Sequence, residues 1–286
     1  MIKEKEDGLV IPKGSTSRRS FMKVAGATGL AAAAGATLAG KLPKVLAAGN
    51  GITDFDILNF ALNLEYLEAE FYTMATTGKT LQQSGFDLSG TGTLGSTSGG
   101  NQVDFSGSTT LATEAIAKQI TTDEQTHVKY LRAALKSFGQ TPIAEPSINL
   151  NALGTGFESV DAFLAVARAL EDIGVTAYGG AAPLINNRTV LGAAARILAA
   201  EALHSGNIRL QVATLNIATK KLDGVDVLPP PSGDHYFSVT DSTAMTEIRT
   251  PGQVLFLAYG FKANVTSGGF FPAGVNGKIN MSSASA

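Results

Sequence analysis

Two of the three histidines in this 286-residue chain follow a glutamate by three positions. The segments are Glu124-Gln-Thr-His127 and Glu201-Ala-Leu-His204. On a helix, residues three apart lie side by side on one face, so each segment can present a carboxylate and an imidazole to one point. A mixture of carboxylate and imidazole ligands suits Fe or Mn better than copper or zinc. The two segments therefore predict a metal site built from two helices.

Two further glutamates, Glu65 and Glu171, occupy matching places in two other amphipathic segments. One glutamate from each of two helices and a Glu-x-x-His pair from each of two others form the known pattern of di-iron and di-manganese bundle sites. A single Glu-x-x-His pair is weak evidence, because most such pairs lie on solvated faces. Here all four segments carry their acids within apolar stripes, where uncompensated carboxylates are costly and two cations would supply the counter-charge.

An internal repeat surrounds these residues. Tyr72 follows Glu65 by seven positions and Tyr178 follows Glu171 by seven, about two helical turns in each case. Each tyrosine should therefore share a helix face with a glutamate, where it could hydrogen-bond to a ligand carboxylate or carry an electron; we favour the hydrogen bond. The chain is interpreted as two copies of one helical hairpin, the first enlarged by an insertion of about 29 residues.

Glu68 lies one turn after Glu65 on the same stripe, and Gly174 occupies the equivalent place in the second half. It is a candidate for a seventh, movable ligand; the alternatives are an acid beside the ligands or a solvated edge. The third histidine, His235, has no glutamate at the same spacing and is expected in a surface loop.

Apolar stripes at steps of three and four predict the helices that position these residues. The four long helices are expected from Asp54 to about Thr76, about Thr110 to Ser137, about Ser159 to Tyr178 and about Arg188 to Lys220. Gly179-Gly180 and Pro183 are expected to end the third of these helices. The predicted fold is all-α: a four-helix bundle with a short fifth helix near Pro251 and an irregular C-terminal tail whose Phe270 and Phe271 pack on the bundle.

The predicted domain organisation follows composition. Residues 1–47 form a signal peptide, 48–222 the bundle with a Gly/Ser/Thr-rich insertion at 77–107, and 223–286 a C-terminal extension. The signal is indicated by Arg18-Arg19, by an uncharged run from Val24 to Gly40 and by small residues near Ala47, and it resembles a twin-arginine export signal. A membrane anchor is the alternative, but the run is short and rich in Ala and Gly.

Composition excludes several functions. Without residues 1–47 the chain has 14 basic and 21 acidic residues, a net charge of −7 that argues against nucleic acid or an anionic membrane as partner. The sequence contains no cysteine, which excludes disulfides, thiol catalysis and thiolate metal sites. Any metal must bind to Glu, Asp, His or backbone oxygen.

The chain resembles the ferritin-like, desiccation-related proteins of bacteria and plants over roughly residues 53–278. The resemblance rests on the run Phe60-Ala-Leu-Asn-Leu-Glu-Tyr-Leu-Glu-Ala-Glu-Phe-Tyr72, the two Glu-x-x-His pairs, Arg249-Thr-Pro and Gly268-Gly-Phe-Phe-Pro-Ala-Gly-Val-Asn-Gly277. Across the wider group of ferritins, rubrerythrins and manganese catalases, the resemblance implies that Glu124 and Glu201 are the bridging glutamates. It matches Glu65 and Glu171 to the glutamates that come singly from their helices, and His127 and His204 to the terminal imidazoles.

The ligand residues and the resemblance together predict two Fe or two Mn ions, with metal ions and small oxidants as partners. The N-terminal signal predicts a protein that meets the twin-arginine machinery and becomes periplasmic or extracellular. The leading hypothesis is an oxidoreductase that acts on peroxide or dioxygen in stress protection. The alternatives are a protein that oxidises or sequesters iron and a structural stress protein that binds metal without catalysis. A homo-oligomer is possible, but the insertion and tail would hinder a ferritin-type cage.

Overall fold

The computed structural model describes residues 51–106 and 111–286, so the predicted export signal lies outside the described residues. The described chain is mostly helical, and its helices are α1 (Asp54–Thr77), α2 (Thr113–Ser137), α3 (Val160–Ala181), α4 (Arg188–Thr214) and α5 (Pro251–Ala258). Two short strands, β1 (Thr97–Ser98) and β2 (Ile148–Asn149), pair in parallel. The structure confirms the all-α bundle with a short fifth helix.

Helix α1 is the most buried of the four long helices. Thr53 and Asp56 form a capping box at its start, and Gly78 ends it in a left-handed conformation at φ 70°. Between these ends nearly every side chain from Ile57 to Thr76 is buried, including glutamates. A helix that is enclosed on all sides can direct its polar groups only toward a buried site or a buried partner.

The bundle consists of two helical hairpins. Helix α1 packs along α2, α3 packs along α4, and the hairpins meet mainly through α1 and α3. Aromatic residues fill the junction between α1 and α3: the rings of Phe71 and Phe163 stack with centroids 5.4 Å apart, and Tyr72 meets Phe163 edge-on at 5.7 Å. This packing joins the C-terminal part of α1 to the start of α3.

The Gly/Ser/Thr-rich segment after α1 is irregular except for β1, and it is tied to the rest of the protein by backbone and amide hydrogen bonds. The side chain of Asn276 bridges the segment to the chain before β2, since it accepts from Thr93 N at 2.9 Å and donates to Ala144 O at 3.0 Å. Its backbone also exchanges hydrogen bonds with the Asn63 side chain on α1. The tail therefore helps to hold the loop against the bundle.

Two predicted helix ends were wrong. Gly179 and Gly180 do not end α3, which continues to Ala181; a Cβ on Gly180 would lie 1.9 Å from the carbonyl oxygen of Arg249, so this glycine allows close approach of the C-terminal extension. Helix α4 ends at Thr214 instead of Lys220 because Asn216 is left-handed (φ 58°) and Ile217 folds back to donate to Val212 O at 2.9 Å.

Three buried arginines join the C-terminal extension to the bundle. Arg168 on α3 donates to both oxygens of Asp226 at 2.8 and 2.9 Å. Arg249, just before α5, pairs with Asp223 of the extension through two nitrogens at 2.7 Å and donates to Thr176 Oγ1 of α3 at 2.7 Å. The third, Arg209 on α4, donates to Asp172 of α3 and to backbone carbonyls of the extension. Phe270 and Phe271 are also buried, as predicted. Among the described helices, none is long and apolar enough to cross a membrane.

Candidate metal centre

The structure brings the six predicted ligands together midway along the bundle. Helices α1 and α3 each contribute one glutamate, and α2 and α4 each contribute a glutamate and a histidine. The four glutamates are fully buried, while His127 and His204 keep about a tenth of their side-chain surface exposed. The residues are Glu65, Glu124, His127, Glu171, Glu201 and His204.

These side chains form two overlapping groups of four. Each group contains one histidine, one glutamate of its own and the same two shared glutamates, Glu124 and Glu201. Glu65 and His127 complete the first group, and Glu171 and His204 complete the second; within each group the ligand atoms lie within 4.8 Å of one another. Two adjacent cations could therefore be held with Glu124 and Glu201 between them.

The first group is arranged around Nδ1 of His127. This nitrogen lies 3.2 Å from Glu65 Oε2, 3.2 Å from Glu124 Oε2 and 3.4 Å from Glu201 Oε1. One ring nitrogen thus faces three carboxylates from three other positions on the bundle. That convergence is the geometry expected of atoms that surround a common cation.

The second group is arranged around Nδ1 of His204, which lies 3.0 Å from Glu124 Oε1 and 3.5 Å from Glu171 Oε2. Its other ring nitrogen, Nε2, lies 3.2 Å from Asp123 Oδ2. A carboxylate on the far nitrogen orients a ligand imidazole. Asp123 is the residue before Glu124, whereas the equivalent residue before Glu201 is Ala200, so the two halves differ here.

Several buried polar atoms of the cluster make no hydrogen bond. They are Glu124 Oε1, Glu171 Oε2, both oxygens of Glu201 and Nδ1 of His204. Buried polar atoms are almost always satisfied, so this concentration indicates a missing partner of opposite charge. Within the described chain, no lysine or arginine forms an ion pair with these glutamates. The donor set and its charge therefore fit two metal ions.

The pKa values of the cluster reflect the crowding of several buried carboxylates around two histidines. Burial raises the pKa of Glu65 to about 7 and raises that of Glu201 well above its usual range. Burial also opposes ionisation of Glu124, but its contacts with the two histidines outweigh that effect and lower its pKa to about 2. Burial disfavours charge on His204, yet the surrounding carboxylates raise its pKa to about 11. Metal ions would let all the carboxylates ionise.

Two tyrosines connect the glutamates across the bundle. The hydroxyl of Tyr72 on α1 donates to Glu171 Oε1 on α3 at 2.6 Å, and the hydroxyl of Tyr178 on α3 donates to Glu65 Oε1 on α1. Each tyrosine thus contacts the glutamate of the opposite helix instead of the one that precedes it in sequence. In both glutamates the second oxygen faces the histidines.

Glu68 is buried beside the cluster and does not lie on a solvated edge. A Cβ on Gly174 would lie 3.2 Å from Glu68 Oε1 and 2.5 Å from Glu201 Oε2. The missing side chain at residue 174 thus leaves room for both carboxyl groups. Burial, together with the nearby charges of the cluster glutamates, raises the pKa of Glu68 well above its usual range.

Sequence reasoning missed two features near the site. Asp123 gave no signal of its own, because its contact with His204 crosses from α2 to α4. The buried Arg168 and Arg209 with Asp172 between them could have been suspected from charges within apolar stripes. The third histidine, His235, lies in a loop. Its two ring nitrogens contact the exposed Asp234 and Asp241 instead of residues of the cluster.

The fold and the cluster together define a class: helical-bundle proteins whose buried glutamates and histidines can hold metal ions. Residues 53–214 match the family of the ferritin-like domain, and this match covers more than half of the chain. The chain therefore belongs to the ferritin-like domain family. No curated protein sequence matches it.

Proposed function

We propose that this protein binds two Fe or two Mn ions and acts as an oxidoreductase on hydrogen peroxide or dioxygen. The observation that carries the proposal is the pair of ligand groups that share Glu124 and Glu201 and contain one imidazole each. Glu65 with His127 would hold one ion, and Glu171 with His204 would hold the other. When bound, the ions would supply one electron each, which with two protons reduces hydrogen peroxide to two waters.

The protein's own residues would position the ions and limit access to them. Tyr72 and Tyr178 each occupy one oxygen of a glutamate, so that only the other oxygen is directed at the cluster. Asp123 orients His204 through the far ring nitrogen. The buried walls of the bundle exclude water, which keeps the carboxylates directed at the cations.

Metal analysis followed by two activity assays tests this function. We expect about two Fe or Mn ions per chain, with decomposition of peroxide or oxidation of the reduced protein by dioxygen. The matched variant Glu201→Gln should lose both bound ions, and Glu247→Gln in the C-terminal extension should keep them. Protein that binds no metal with all six ligands intact would overturn the site; tight metal without turnover would favour a non-catalytic stress protein.

We also propose export by the twin-arginine route. The support is the sequence pattern around Arg18 and Arg19 together with the weakly apolar run that follows it. Cell fractionation should find the processed protein outside the cytoplasm. Replacement of both arginines by lysine should retain the precursor inside, and an unchanged distribution would contradict the proposal.

A further inference from the structure

An apolar cleft runs from the protein surface to Glu68 and Gly174, which lie beside the metal-site cluster. It lies between α1, α3 and α5 and is open to solvent at its outer end. Leu153 and Phe261 are exposed at the mouth, and Glu68 and Gly174 are buried deep in the cleft. The cleft is therefore continuous with the residues that contact the cluster.

The deep end of the cleft stops at Glu68 and Gly174, and the shared ligand Glu201 packs directly against Gly174. An added Cβ there would lie 2.5 Å from Glu201 Oε2, closer than a carbon and an oxygen can approach. Glu68 Oε1 borders the same space at 3.2 Å. A small molecule at the inner end of the cleft thus meets Glu68, and Glu68 and Glu201 both pack against Gly174.

The walls are almost entirely apolar. Leu67 of α1 and Leu170 and Ile173 of α3 form one side, and Leu257 and Ala258 of α5 form the other. Glu68 is the only polar side chain among the lining residues. Because a peroxide molecule loses its hydrogen bonds to water in such a passage, its entry is costly, whereas dioxygen has no hydrogen bonds to lose.

Much of one wall comes from outside the ferritin-like domain match, which ends at residue 214. Leu222, α5, Phe261 and Phe270 all belong to the segment that follows it. Arg249, which is paired with Asp223 of the same segment, donates to Thr176 Oγ1 of α3 at 2.7 Å and so holds this segment against α3. The C-terminal extension thus helps to shape a passage on the α1–α3 face of the bundle.

We propose that this cleft is the route by which dioxygen, in preference to peroxide, reaches the metal site, with Glu68 at its inner end. The proposal rests on the function proposed above and names the oxidant that the site takes. Dioxygen is small and uncharged, and the cleft offers it an apolar path to the cluster. Dioxygen needs no hydrogen-bonding groups along that path.

Xenon provides a test that does not depend on catalysis, because it enters apolar cavities as dioxygen does. Crystals of the mature protein pressurised with xenon should show an atom in the cleft near Gly174. Ala258→Phe should fill the cleft and remove that xenon site, while Ala193→Phe, in a separate hollow between α2 and α4, should leave it unchanged. No xenon in the wild-type cleft would overturn the proposal.

Kinetics provide the second test. In the iron-loaded, reduced protein, Ala258→Phe should slow oxidation by dioxygen about tenfold and leave oxidation by peroxide nearly unchanged. Ala193→Phe should change neither rate, and metal content and melting temperature should be the same in all three proteins. An unchanged dioxygen rate, or equal slowing with both oxidants, would overturn the route. Failure of the wild type to bind either Fe or Mn, or to react with either oxidant when loaded, would instead refute the proposed function.

Discussion

The hydroxyl of Tyr72 on α1 lies 2.6 Å from Oε1 of Glu171 on α3, and Tyr178 on α3 donates in turn to Glu65 on α1. These two hydrogen bonds cross the junction between the hairpins in opposite directions. Both glutamates keep one oxygen for the cluster and give the other to a tyrosine. The two halves of the bundle thus make equivalent tyrosine–glutamate hydrogen bonds at the site, as an approximate two-fold axis requires.

Loss of a tyrosine hydroxyl should weaken metal binding without unfolding the protein. Tyr72→Phe leaves Glu171 free to rotate, and we expect a fall in metal affinity of about 10- to 100-fold, typical for groups that orient ligands. Tyr178→Phe should do the same through Glu65. Calorimetric titration with Mn²⁺ measures the effect, and Tyr130→Phe, at an exposed position, is the control. Unchanged affinity in both site variants would show that the hydrogen bonds do not position the carboxylates.

Gly174→Ala should disrupt the cluster, because its methyl group would meet Glu201 Oε2 at 2.5 Å. We expect loss of one or both metal ions, measured by elemental analysis of the purified protein. Gly192→Ala on α4 is the matched control, since nothing lies within 4 Å of an added Cβ there. That change should stabilise the helix by about 0.5–1 kcal/mol. Full metal content in Gly174→Ala would contradict the packing described for Glu68 and Glu201.

Arg249→Met should destabilise the protein through the C-terminal extension. The change leaves Asp223 buried without its cation and removes the hydrogen bond to Thr176 Oγ1 at 2.7 Å. Breaking a buried ion pair costs about 3–5 kcal/mol of unfolding free energy. Urea denaturation of metal-loaded protein measures the loss, with Arg196→Met, at an exposed site on α4, as the control. Equal midpoints for the two variants would show that the extension contributes little stability.

The free energy of unfolding should fall as pH rises through the range in which Glu145 is protonated in the folded protein but ionised in the unfolded chain. Burial raises the pKa of Glu145 from 4.5 to about 9, and the adjacent Glu70 carboxylate adds to the effect. The folded state therefore retains a proton that the unfolded chain releases above pH 4.5, so its stabilising effect is present at low pH and is lost toward pH 9.

Glu145→Gln should make the unfolding free energy less dependent on pH in that window. Each such group contributes a slope of up to about 1.4 kcal/mol per pH unit. Denaturation curves collected between these limits compare the variant with wild type and with Glu114→Gln, which is exposed on α2. The expectation fails if Glu145→Gln and wild type show the same slope.

Much of the fold could be predicted because periodicity is a local property of the chain. Apolar residues at steps of three and four indicated the four long helices, and Pro251 indicated the start of α5. The ends were less certain, since Gly180 serves packing against Arg249 and not helix termination. The roles of the six ligands and of both tyrosines in catalysis or binding stay predictions, as do the domain limits and export.

The sequence alone determined which residue types occupy the bundle interior: four glutamates and two histidines at helical spacing among apolar neighbours. Only the tertiary structure decided that Tyr72 meets Glu171, that Asp123 supports His204, and that α5 helps to form a cleft beside Glu68. Helical spacing specifies which side chains share one face, a relation within a few residues. Contacts between helices depend on how the faces rotate and pack, which involves residues far apart in the chain.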